Sequence, residues 1–147
     1  MEIPRKTAII VNADELILGR MASMIAKRLL KGEEIIVVNA EKAVLSGRKN
    51  SKVMEAKEFL EAGYPRIGPF HQRRPDRIAR RTVRGMLPYK QPKGKQAYRR
   101  LKVFIGIPEE LKDRKMETFV SAQARKLACP HFTLGEFAKE IGWKPGG

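Results

Sequence analysis

Four consecutive β-branched residues, Ile35-Ile36-Val37-Val38, constrain the fold of this chain more than any other stretch. An unbroken apolar run of strand length has no polar face to give to water, so it must be covered on both sides. A second run of the same kind, Thr7 to Val11 (TAIIV), stops at the turn-forming Asn12-Ala13-Asp14. Between the two the period changes. Leu18, Met21, Ala22, Ile25 and Leu29 recur at helical spacing, with Arg20, Lys27 and Lys31 on the other side. Gly32 sits where a helix C-cap belongs. Strand, amphipathic helix and covered strand make a βαβ unit, whose two strands lie parallel. The fold class this predicts is α/β, a sheet held between outer layers.

The remaining elements are read in chain order. Asn39 to Gly47 leaves the sheet as a loop with a brief strand at Ala43–Leu45. Ser51 is placed to N-cap a second helix that runs to about Glu61 with Val53, Ala56 and Leu60 inward. Leu101 to Ile107 reads as a returning strand, and Pro108 opens a helical turn with Glu109 and Glu110 near its positive end. A helix is expected over Ser121–Ala128 and another over Thr133–Ile141. In the latter, Thr133 and Glu136 have capping-box spacing, and Leu134, Phe137, Ala138 and Ile141 form the apolar face. At 147 residues the expectation is one domain over 1–147.

Charge is distributed unevenly over this frame. From Tyr64 to Lys102 there are thirteen Lys or Arg and one acid, Asp76, which is +12 of the chain's formal +15. Within this limb a helix from Asp76 to Met86 places Arg77, Arg80, Arg81 and Arg84 on one side. Ile78, Ala79, Val83 and Met86 take the other side, and Asp76 suits the N-terminal end. Gly- and Pro-punctuated loops flank it, and a short helix is expected around Lys95–Arg100. A cationic limb of this density implies a polyanionic partner. With 31 cations against 16 acids in the chain, internal pairing cannot neutralise it. Arginine forks match phosphates, and Tyr64, Phe70, His71, Tyr89 and Tyr98 are available as stacking surfaces or as core residues.

The candidate RNA-binding residues are therefore Arg66, Arg73, Arg74, Arg77, Arg80, Arg81, Arg84, Lys90, Lys93, Lys95, Arg99 and Arg100, with Gly85 and Pro88 shaping the turn after the helix. Irregular loops around an arginine helix fit structured RNA better than a duplex groove. The alternative is a duplex-DNA-binding regulator using the helices at 76–100. A merely solvated basic face is the bland reading, and a nucleotide-using enzyme is a further one. Against the enzyme, no G-x-G-x-x-G or Walker spacing occurs. Cys129, His131 and His71 are too few for a zinc site, so neither metal, cofactor nor small-molecule substrate is expected. Cys129 reads as a small buried thiol beside a turn. No apolar run approaches the ~20 residues of a membrane span, and the opening MEIPRKTAIIVN lacks an export-signal core. A single cysteine fits a reducing cytosol, so a cytoplasmic location is expected.

Three stretches also carry a family resemblance. They are Asp14–Ala22 (DELILGRMA), Val37–Gly47 (VVNAEKAVLSG) and Gly68–Leu101, the last holding GPFH, RRP and RTVRGMLP. Together they resemble the large-ribosomal-subunit protein thirteen family in its archaeal and eukaryotic form. The resemblance implies a three-layer α/β/α fold with a mostly parallel four-stranded sheet. It further implies a structural and assembly role on large-subunit ribosomal RNA, beside neighbouring ribosomal proteins, without catalysis. Carried onto this chain, it expects Arg81 and Arg84 to touch RNA and Gly85–Pro88 to form the turn.

Overall fold

The computed structural model describes residues 7–146; the opening Met1–Lys6, part of the stretch searched for an export signal, lies outside them. The predicted βαβ unit is present as β1 (Ile9–Asn12), α1 (Leu18–Leu30) and β2 (Ile35–Val38). The strands pair in parallel, from Ile9 with Ile35 to Asn12 with Val38. Two further parallel strands flank them. These are β4 (Leu101–Val103), paired with β2, and the two-residue β5 (Met116–Glu117), paired with β1, giving the order β4-β2-β1-β5. A second, antiparallel pair joins β3 (Val44–Ser46) to β6 (His131–Thr133).

Alternation along the strands explains why β2 is apolar throughout. Val11, Ile35, Val37, Leu101 and Val103 face one way, into a core shared with Leu18, Met21, Ile25 and Leu29 of α1. Ile10, Ile36 and Val38 face the other way, against Leu111, Phe104, Ile107 and Met116. All four β2 side chains are buried. At about 1.5–3 kcal/mol per fully buried aliphatic side chain, this strand is among the largest single contributors to the fold. The two layers over the sheet are unequal. The first holds α1 with α3 (Pro75–Gly85) and α4 (Pro92–Arg99). Over the second face the cover is a 3-10 turn, Glu109–Leu111, whose Leu111 is fully buried. Pro108 stands at its N-cap, one position ahead of the expectation.

Other departures have identifiable causes. The expected strand over 101–107 ends at Val103, because β2 itself turns at Asn39, which has φ 56°. The backbone follows the turn, with Phe104 N–H donating to Val37 O at 2.8 Å and Asn39 N–H to Gly106 O at 2.9 Å. No α-helix forms over 121–128. Two 3-10 turns, Val120–Ala122 and Ala124–Lys126, stand there instead. The groups a helix would use are engaged across the chain: Ile17 N–H donates to Ala122 O and Ala124 N–H to Glu15 O, both at 2.7 Å. Helix α2 (Lys49–Glu61) starts earlier than expected, with Arg48 at the N-cap and Ser51 inside the first turn. Val53 is its buried residue, while Ala56 and Leu60 are half-buried. In α5 (Leu134–Glu140) the capping box is complete: Glu136 N–H donates to Thr133 Oγ1 at 3.2 Å, and Thr133 N–H to Glu136 Oε2 at 3.4 Å. Arg28, at the end of α1, clamps Glu33 at 2.6 Å and Glu117 of β5 at 2.9 Å. Its pKa is raised, chiefly by the hydrogen bond to Glu117.

Candidate nucleic-acid interface

Helix α3 is attached to the body by small residues. Pro75, Ala79 and Val83 are buried, a row at four-residue spacing that lets the helix lie close on α1. Arg74, in an extended conformation, is the N-cap and Pro75 follows at the first helical position. Asp76 does not cap; one of its oxygens, Oδ2, accepts from Arg74 Nη2 at 3.2 Å. Met86, expected on the inner side, is the C-cap residue and 44% exposed, and Leu87 is the buried residue after the helix. The turn then presses on α4. A Cβ at Gly94 would lie 2.0 Å from Pro88 O, so only glycine permits this approach. Pro88 O also accepts from Gln91 N–H at 3.0 Å. Gly85, by contrast, has open space around its Cβ direction. The close contact of this turn thus belongs to Gly94, which lies inside α4 because that helix begins at Pro92, ahead of the expected Lys95.

The arginine face is ordered by aromatic rings. The Arg80 guanidinium lies 4.3 Å from the Tyr98 ring centre and that of Arg84 lies 3.9 Å from Tyr89. The two tyrosines meet edge to face at 5.5 Å. A cation over a ring face gains about 0.5–2 kcal/mol, and a stacked guanidinium keeps its N–H edge for a ligand. Tyr89 and Tyr98 are therefore arginine platforms rather than free stacking surfaces. Arg77 Nη1 donates to Gln72 Oε1 at 3.4 Å. Arg81 and Arg84 stand on the divide between two adjoining clefts. One, of about 840 Å³, also takes in Arg74, Arg77, Arg80 and Phe70. The other, of about 510 Å³, takes in Tyr89 and Lys90.

The limb's one acid is used by Arg74. Arg66, Arg77, Arg81, Lys90, Lys93, Lys95 and Arg99 are exposed and have no carboxylate partner among the described residues. Two of the candidate residues lie elsewhere. Arg100 is turned inward, its Nη2 donating to Leu29 O at 2.6 Å, where it caps the C-terminal end of α1. Arg73 reaches toward Gly142, just past α5. Of the remaining rings, His71 lies 4.1 Å from Phe59 of α2, whereas Tyr64 and Phe70 are 75% and 73% exposed. Cys129 is exposed rather than buried. Among the described residues no helix is long and apolar enough to cross a membrane, and no group of His, Cys, Asp and Glu could hold a metal ion.

Residues 6–110 match the family model for ribosomal protein L13. The large ribosomal subunit protein uL13 of Methanosarcina barkeri is 48% identical over 137 residues, covering 92% of this chain and 98% of that protein. The protein of the same name from Archaeoglobus fulgidus is 47% identical over 137 residues, with 92% and 88% covered. That from Methanopyrus kandleri is 44% identical over 142 residues, with 94% and 89% covered. The two stretches on which the α1 entry and the β2 exit are built, and the whole arginine limb, fall inside the matched region, and the chain belongs to the ribosomal protein L13 family.

Proposed function

We propose that this chain is a structural constituent of the large ribosomal subunit in the cytoplasm, and that it binds large-subunit ribosomal RNA through the 64–102 limb. The relatives' name places them in that subunit, and family membership carries the placement to this chain. It gives no support to the duplex-DNA regulator, and the family is structural rather than catalytic. The observation behind the RNA-binding part is the arginine face of α3, where Arg80 and Arg84 are stacked in place while Arg77 and Arg81 lack acid partners among the described residues. Such a face neutralises phosphates without first breaking internal pairs. Assembly is supported in the same way: cationic loops and clefts bring RNA segments and neighbouring ribosomal proteins together around one body.

Counterion release tests this. Neutralising ~6–10 phosphates lowers affinity ~10³–10⁵-fold between 50 and 200 mM salt on duplex figures, and somewhat less on single strands. Filter binding of the full chain to large-subunit ribosomal RNA across that range should fall steeply. A flat response overturns the RNA-binding reading.

A further inference from the structure

We propose that the larger arginine cleft holds one unstacked nucleobase, with Phe70 as its stacking platform. This rests on the RNA-binding reading and goes past it, from phosphate neutralisation to a base site. Sequence offered five rings in the limb. Tyr89 and Tyr98 are engaged by arginines and His71 lies on Phe59, which leaves Tyr64 and Phe70 exposed. Of these two, Phe70 lines the cleft that also takes in Arg77 and Arg81. Its ring is seated by a glycine. A Cβ at Gly68 would lie 3.2 Å from two ring carbons, so the ring rests close against the glycine backbone and a larger residue there would shift it by a few tenths of an ångström. An exposed ring beside guanidiniums with no carboxylate partner among the described residues matches a nucleotide: the base goes to the ring and its phosphates to Arg77 and Arg81.

The cleft wall adds a second observation. Asp76 Oδ1 and Arg80 Nε are both out of solvent and without a hydrogen-bond partner among the described residues, and both residues line this cleft. Buried polar atoms left unmatched are costly, and they are rare in folded proteins. The other carboxylate oxygen of Asp76 is bonded to Arg74, whose side chain is half-exposed. Drawn to a phosphate, Arg74 releases a carboxylate that repels phosphate and takes an N–H from a base edge. The limb's only acid thus favours a base over a phosphate on this wall.

The test uses the full chain and two single-stranded RNA decamers, ten adenosines and ten abasic riboses with the same phosphates. Anisotropy at 0.2 M salt should show the adenosine decamer bound about tenfold more tightly, within the range of base–aromatic stacking. Phe70→Ala should remove most of that preference and leave abasic affinity unchanged, while Phe70→Trp should keep it. Asp76→Asn should reduce the preference without altering the salt slope. Equal binding of the two decamers by the unaltered chain overturns the base site. So does a Phe70→Ala loss shared equally by both decamers, or a preference removed by Tyr64→Ala instead. Loss of salt dependence with both decamers overturns the underlying RNA-binding reading instead, so the two failures are told apart.

Discussion

Helices α2 and α3 are of similar length and both pack against α5, yet they relate to the body in opposite ways. By composition α2 is the milder, with three lysines balanced by three glutamates from Lys49 to Glu61. It buries one residue, Val53, and leaves Met54 and Phe59 64% and 61% exposed. Helix α3 carries four arginines against Asp76 and is the better anchored, through Pro75, Ala79 and Val83. Spacing makes the difference. The buried residues of α3 form one row, so its cations lie off it, Arg77 and Arg81 exposed and Arg80 and Arg84 half-buried over tyrosine rings. In α2, Val53, Ala56 and Leu60 share a side, but Met54 and Phe59 fall off it. A helix's charge therefore says where its free face points, and the spacing of its small apolar residues says how firmly it is held.

Removing the α3 arginines tests this division most severely. Arg77, Arg80, Arg81 and Arg84 changed together to Gln should weaken binding to large-subunit RNA about 10³-fold at low salt and reduce the salt slope by about 3–4. Thermal unfolding should stay near its original midpoint. Two ring-stacked cations are lost, at about 0.5–1 kcal/mol each at exposed sites, while self-repulsion on a chain of formal charge +15 is relieved. A chain unfolded at room temperature would mean that the arginine face holds α3 in place, and the contrast with α2 would fail.

Within the limb the same contrast can be sharpened at one residue. Arg100 has the composition of the RNA face and the geometry of the core, capping α1 through Leu29 O. Arg100→Gln should cost about 1–3 kcal/mol in a urea titration, because a carbonyl at a helix end loses a charged donor. RNA affinity and its salt slope should stay unchanged. A reduced slope with unchanged stability would return Arg100 to the RNA-binding set.

How far sequence could reach follows from the range of the interaction concerned. The βαβ unit was legible because its periodicities are local, and so was the capping box, whose two residues lie three apart. The limb was legible as a polyanion-binding segment because net charge needs no coordinates. Arg100 was not, since its partner lies 71 positions away. The tyrosine platforms depend on α4 lying beside α3, and that approach depends on Gly94. Residues 121–128 lost their expected helix to hydrogen bonds with Glu15 and Ile17, more than a hundred positions distant. In each case a local preference was overruled by a partner that no window of sequence contains.

The smallest expected effect falls on α2. Met54→Gln replaces an exposed thioether with a polar side chain of similar length on a helix where both residues are good formers. No core contact is lost, since Val53 alone is buried there. Unfolding free energy should move by no more than about 0.5 kcal/mol, as for surface positions generally, and RNA affinity should not change, because α2 is neutral overall. A loss above ~1 kcal/mol in a urea titration would mean that Met54 is packed and that α2 is anchored on two sides. The weak attachment of α2 would then be wrong, and the firm hold on α3 would no longer distinguish the two helices.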